Sequence, residues 1–253
     1  MFKVNRETTK HQHDTIIAFI KEWFSDKKGP AVIGISGGKD STVCAALLVE
    51  ALGPDRVIGV TMPNGIQSDI EDSVRVCEIL GIKRININIG SVYKALSTEI
   101  QKAFDCVSFN SLYATNTPAR IRMVTLYGVA AKVGGFVCNT CNRSEDFVGY
   151  STKWGDAVGD FTLVSGLLKT EVCALGDFMN LPENLVHKIP SDGMCGKSDE
   201  DNMGFTYEEL DAFITDENWA EKNLEPHKVE KIRRMHNHPN TKAKLVNMAG
   251  PKF

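Results

Sequence analysis

Four short apolar runs, each ended by small or polar residues and followed by a stretch of helical length, constrain this chain more than any other feature. "AVIGI" (31–35), "RVIGVTM" (56–62), "KRININI" (83–89) and "GGFVCNT" (134–140) have the length of strands. Between them lie "DSTVCAALLVEAL" (40–52), "SDIEDSVRVCEIL" (68–80), a segment over about 91–104, and a longer one from Pro118 to about Lys132. This alternation predicts an α/β fold, a doubly wound parallel sheet flanked by helices. Ligands of such sheets sit beyond the carboxyl ends of the strands. The loops after residues 35, 61 and 138 are therefore the places to look. Before the first strand, Ile16, Ile17, Phe19, Ile20, Trp23 and Phe24 recur at helical spacing. The polar side of that helix is not notably basic, so packing on the domain is expected rather than a membrane surface. After about residue 180 the character changes. "KIPSDGMCGKSDEDNMGFTYEELD" (188–211) is polar and rich in Gly and Asp, a long loop with both ends tied down. A charged helix follows from about Pro226.

The loop after the first strand reads "SGGKDS". It fails the Walker pattern G-x-x-x-x-G-K-[ST], because Lys39 is followed by Asp40 and the first glycine is Ile33. Small residues from Ser36 to Ser41 still let successive backbone N–H groups reach an anion, with the helix N-terminus adding positive charge. Asp40 would repel a phosphate unless a metal lies between, most simply Mg²⁺. A plain helix cap with Asp and Ser in the first turn is the alternative. Three small residues directly after a strand are harder to explain that way.

Composition narrows the classes. With 253 residues, 42% hydrophobic and 24% charged, the chain suits one globular domain over 1–253. A net charge of −3 gives no electrostatic reason to bind nucleic acid. No apolar run reaches membrane-spanning length, and no signal-peptide layout opens the sequence. The seven cysteines are odd in number and scattered through apolar segments, which fits reduced thiols and a cytoplasmic setting.

"SGGKDS" resembles the S-G-G-x-D-S pyrophosphate loop of the N-type ATP pyrophosphatases, which split ATP between its α- and β-phosphates and transfer AMP. Three further stretches narrow the resemblance: "NTPARIRM" (116–123), "NTCNRSE" (139–145) and "GYSTKWGDAVGDFTLVSGLLKTEV" (149–172). In that order they resemble N-x-x-A-R-x-R-M, G-T-x-N-x-S-E, G-Y-x-T-K-x-G-D and K-T-E-V of the ammonia-dependent NAD synthetase family, from the first helix to at least residue 211. The resemblance implies a core over about 30–180, an active-site loop over about 190–205 that closes over the site, and a C-terminal helical tail. It implies ATP binding by Gly34, Ile35, Ser36, Gly37, Gly38, Lys39, Asp40, Ser41, Thr140, Lys169 and Ser191. It assigns Arg120, Lys153, Asp160, Thr241 and Lys242 to deamido-NAD, with His236 and His238 as rivals for the last pair. Asp40 and Glu145 would hold Mg²⁺, and no side chain would act as a covalent nucleophile. The implied reaction is ATP-dependent amidation of deamido-NAD by ammonia through an adenylate, releasing AMP and pyrophosphate. The chain is too short to carry a further amidase domain. A homodimer is implied, with the first and long helices as candidate contacts.

Asn139 and Cys141 depart from the family pattern and create a C-x-x-C with Cys138. That opens a rival, a tRNA-modifying pyrophosphatase using the pair for sulfur transfer. Lacking a second cysteine pair, two unlinked thiols are the expected state. A nucleotide-sensing module without turnover is a further alternative.

Overall fold

The computed structural model describes residues 4–66, 70–105, 108–187, 198–238 and 248–253. The chain opens with α1 (Arg6–Trp23), β1 (Ala31–Gly34), α2 (Lys39–Leu52), β2 (Val57–Thr61), α3 (Ile70–Ile79) and β3 (Lys83–Asn86). It continues through α4 (Gly90–Phe104), α5 (Ser111–Val133), β4 (Phe136–Asn139), α6 (Arg143–Val148), β5 (Phe161–Thr162) and α7 (Lys169–Phe178). Five more helices follow among the described residues: α8 (Glu183–Val186), α9 (Asp199–Met203), α10 (Tyr207–Thr215), α11 (Glu217–Asn223) and α12 (Pro226–His236).

The strands form one parallel sheet in the order β3-β2-β1-β4-β5. β1 pairs with β2 on one side and β4 on the other, so Ile33 lies beside both Gly59 and Cys138. The strand order reverses there, and a crevice opens at the carboxyl ends of β1 and β4. Both faces of β1 are covered, which explains its unbroken apolar run. Ala31 and Ile33 join Ile16, Ile20, Val43, Leu47 and Leu175 from α1, α2 and α7. Val32 points the other way, onto Val129 and Ala130 of α5. Each fully buried Val, Leu or Ile among them contributes about 1.5–3 kcal/mol. A separate cluster of Met203, Phe205, Tyr207, Leu210, Phe213 and Ile232 ties α9–α12 to Val148 of α6.

Several expectations shift. The long helix begins at Ser111, a full two turns before Pro118, because the Asn110 side chain accepts from Tyr113 N at 2.9 Å and caps it. Pro118 therefore sits inside α5, where it lacks the N–H for one intrahelical bond. The third strand is a short, largely exposed edge, although Ile87 N continues the ladder to Thr61 O at 2.9 Å. β5 has two residues and gave no periodic signal, and Thr162 N donates to Ala249 O beside it. Residues 199–203 of the polar stretch form α9, begun by a capping box between Ser198 and Asp201. The apolar stripe of α1 packs inside the chain's own core, whereas α4 and α5 leave Val92, Leu96, Phe104, Leu112 and Val124 exposed. Among the described residues no helix is long and apolar enough to cross a membrane.

Candidate active site

β1 delivers the chain at Ile35, whose N–H donates to Val60 O, into a loop that enters α2 at Gly38. No side chain caps this helix, so its first amides remain available to an anion. Ser36 and Ser41 hold the loop shut through their hydroxyls, 3.1 Å apart, and Ser41 Oγ donates to Gly38 O at 3.0 Å. Gly37 has φ +79°, and a Cβ there would lie 2.8 Å from Asp72 Cβ and 3.0 Å from Ser73 N. Gly37→Ala is expected to lower stability by about 1–3 kcal/mol. Gly38→Ala, whose Cβ would meet Ser36 Oγ at 3.3 Å, should cost less, and denaturant midpoints compare the two.

Asp40 in the first turn of α2 faces two other helix starts. Its Oδ1 accepts from Asn142 Nδ2 at 2.9 Å, and its Oδ2 accepts from Lys169 Nζ at 2.8 Å. The same ammonium donates to Glu145 Oε1 at 2.5 Å. Asn142 and Glu145 form the capping box of α6, and Lys169 is the first residue of α7. Three helix N-termini thus converge, and Lys169 is 3% exposed at their centre. The Tyr207 ring lies 4.7 Å from Lys169 Nζ and 5.7 Å from Lys39 Nζ.

The charges are coupled. Burial alone would raise Asp40, but Lys169 and Lys39 outweigh it and hold that carboxyl below its usual range. Glu145 is pushed up to about 7, by burial first and by Asp40, with Lys169 acting against both. Lys169 is held well above its ordinary value, because the two carboxylates overcome its burial. Lys39 moves down through burial and the repulsion of Lys169. One ammonium cannot fully neutralise two carboxylates, so the second remains hard to ionise.

That arrangement fits a divalent cation. Two carboxylate oxygens already converge on one positive centre at 2.8 and 2.5 Å, and oxygen donors suit a hard ion. Among the described residues no three His, Cys, Asp or Glu side chains cluster for a metal. Mg²⁺ needs no more than one or two carboxylates when substrate phosphates complete its shell.

Beside this triad lies a cavity of about 630 Å³ between α5, the ends of β1 and β4, and residues 149–158. Gly34, Ile35, Ser36 and Thr140 line it with Met62, Leu126 and Val137, a largely apolar wall with polar ends. Arg122 Nε donates to Met62 O at 3.1 Å at this wall. Arg120 and Lys153 are brought together outside the lining, where Arg120 Nε donates to Lys153 O at 3.3 Å. Asp160 stands apart from the lining: its Oδ2 accepts from Val137 N at 2.7 Å and pins the start of β4. Ser191, Thr241 and Lys242 lie outside the described residues. His236 is engaged elsewhere, stacked on Phe147 and bonded to its carbonyl oxygen at 2.9 Å.

Asn139, unusual for the motif, staples the following loop. Its Nδ2 donates to Asp156 O at 2.7 Å and Val158 O at 3.2 Å, while its Oδ1 accepts from Cys141 N. Cys138 and Cys141 are buried free thiols, and burial pushes Cys141 far up. Neither suits sulfur transfer, which needs an accessible thiolate. Sequence reasoning left Asn142, Ser144, Tyr207 and Asp211 without roles. The first two stood inside "NTCNRSE" and the others inside "TYEELD", so the signal was present but unassigned.

Comparison with known proteins places this geometry. The model of the family described as NAD synthase matches residues 13–246. An NH₃-dependent NAD⁺ synthetase of Pyrococcus furiosus is 40% identical over 200 residues, 79% of this chain and 75% of that protein. One from Methanocaldococcus jannaschii is 38% identical over 226 residues, 85% of this chain and 83% of the relative. Among solved structures, the NMN synthetase of Francisella tularensis superposes with a TM-score of 0.81 at 31% identity, covering 94% of this chain and 98% of that one. The NH₃-dependent NAD synthetase of Campylobacter jejuni follows at 0.77 and 27%, covering 95% and 98%. By these matches over most of its length, the chain belongs to the NAD synthase family.

Proposed function

We propose that this protein amidates deamido-NAD to NAD⁺ with ATP and ammonia, releasing AMP and pyrophosphate. The observation that carries the reading is the convergence of Asp40, Glu145 and Lys169 at an uncapped helix N-terminus beside a nucleotide-sized cavity. ATP lies with its base and ribose in the apolar cavity near Thr140 and its phosphates on the Ser36–Ser41 loop. The nicotinate carboxylate attacks the α-phosphorus, forming the acyl–phosphate bond as pyrophosphate departs. Backbone N–H groups and the hydroxyls of Ser36 and Ser41 stabilise the charge that develops on the leaving group. Mg²⁺, when held by Asp40 and Glu145, supplies further neutralisation of the phosphates. Lys169 holds the two carboxylates in place and faces the phosphates. Ammonia then attacks the carbonyl carbon of the adenylate, AMP leaves with the C–O electron pair, and a proton is released. No side chain forms a bond to substrate, so catalysis rests on positioning and charge.

Arg120 and Lys153 supply positive charge for the dinucleotide, with Asp160, Thr241 and Lys242 as further contacts and Ser191 toward ATP. Arg120 is exposed, so Arg120→Ala should leave stability within about 0.5 kcal/mol. Its KM for deamido-NAD should rise about tenfold or more at little change in KM for ATP, measured by steady-state assay. The likeness in fold to an NMN synthetase favours one second reading, a nicotinate mononucleotide as acceptor. It presents the same carboxylate, and kcat/KM for the two acceptors in one assay decides between them.

The exposed apolar residues on α4 and α5 support a homodimer, Leu112 at 67% and Val124 at 64% exposure being the largest on α5. By analytical ultracentrifugation the wild type is expected to sediment as a dimer, and Leu112→Asp with Val124→Asp as a monomer. A cytoplasmic setting suits the free thiols.

A further inference from the structure

Among the described residues, one buried carboxylate outside the ATP-facing groups has every bond directed at their supports. Asp211 on α10 is 1% exposed. Its Oδ1 accepts from the Ser144 hydroxyl, and its Oδ2 accepts from Thr170 N at 2.9 Å. The Ser144 oxygen in turn accepts from Lys169 N at 2.9 Å. Ser144 directly precedes Glu145, and Lys169 and Thr170 open α7. Three successive amides at that helix start, Leu168, Lys169 and Thr170, are thus taken by Glu171, Ser144 and Asp211. One comes from α7 itself, the second from α6 and the third from α10.

The spacing adds a second grip. Tyr207 and Asp211 are four apart and share one face of α10. Tyr207 lays its ring against the Lys169 ammonium, while Asp211 fixes the Lys169 backbone through Ser144 and holds the adjacent amide directly. α10 therefore clasps Lys169 at both ends. The carboxylate needs both partners, since burial drives it toward the neutral form and the two hydrogen bonds oppose that.

We propose that Asp211 is a positioning residue which, through Ser144, sets Glu145 and Lys169 in the register needed to receive MgATP. This rests on the assignment of Glu145 and Lys169 to that ligand. A simple packing role would require a buried residue at this place but no carboxyl group facing two donors from different helices. Groups held by such outer partners lose about 10- to 100-fold in ligand affinity or rate when the partner goes.

The test uses Asp211→Asn, which keeps shape but presents an amide to one of the two donors, together with Ser144→Ala and the double variant. MgATP affinity is read by calorimetry, thermal stability by scanning calorimetry, and kcat and KM by steady-state assay. The expected result is a 10- to 100-fold loss of MgATP affinity in each single variant, with a matching fall in kcat and an unchanged KM for deamido-NAD. The double variant should be no worse than Asp211→Asn, because both act through one path. Folded variants that melt earlier yet bind MgATP as the wild type does would overturn the proposal. Should Asp211→Asn fail to fold, Ser144→Ala alone decides, since it leaves Asp211 on Thr170. Wild-type protein that binds MgATP but forms no amide would overturn the amidation reading and leave the affinity test standing. Wild type that binds no MgATP would overturn both.

Discussion

Lys169→Met is expected to destabilise the protein by about 3–5 kcal/mol and to abolish turnover. Lys169 is 3% exposed and is the ammonium on which Asp40 and Glu145 both close. Methionine roughly keeps the chain length but leaves two largely buried carboxylates facing each other without a counter-charge between them. The pH dependence follows with a definite sign. Glu145 titrates near 7 in the folded protein against 4.5 ordinarily, so between these values the folded state binds a proton that the unfolded chain has released. Its effect on stability is most favourable below about 4.5 and is lost as pH rises through about 7. Removing the ammonium pushes Glu145 higher still, so the variant should lose stability more steeply toward alkaline pH. Denaturant midpoints at a series of pH values, without metal, read this directly. A flat profile would show that the carboxylates do not depend on Lys169.

Asp40→Asn separates chemistry from folding. Asparagine can still accept from Asn142 or Lys169, and Lys169 keeps Glu145, so stability should stay within about 1 kcal/mol of wild type. The phosphate site loses one of two carboxylates able to hold Mg²⁺. A fall in kcat of about 100- to 1,000-fold is expected, with little change in KM for deamido-NAD. The contrast is the point of the pair: Lys169→Met fails by both stability and rate, Asp40→Asn by rate alone. Near-normal turnover in Asp40→Asn would remove the carboxylate from the mechanism.

Much of this was legible in the sequence, for physical reasons. β1, β2 and β4 are buried on both faces and read as apolar runs, while α2 and α3 have helical length between them. The loop proposed to take the phosphates is local, six residues that run from the end of β1 into the first turn of α2, and its pattern is visible without a structure. The start of α5 was missed although Asn110 and Tyr113 carried the cap, because Pro118 is the stronger local mark of a helix start. β5 is too short to show a period. What no local pattern carries is the wiring of the site. Asn142 meets Asp40 across 102 positions, and Ser144 meets Asp211 across 67. Such contacts exist only once three helix starts have been brought together by the sheet. Asn139 teaches the same lesson: in sequence it breaks a motif, and in the structure its amide ties Asp156 and Val158 to the end of β4.

The most direct test of the central claim is a single reaction containing ATP, Mg²⁺, deamido-NAD and ammonium, with AMP and NAD⁺ followed together. The account predicts that both appear at equal rates and that both vanish with Asp40→Asn. AMP forming without NAD⁺ would leave adenylation standing but contradict ammonia as the nitrogen donor. The absence of both products would contradict the assignment of substrate altogether.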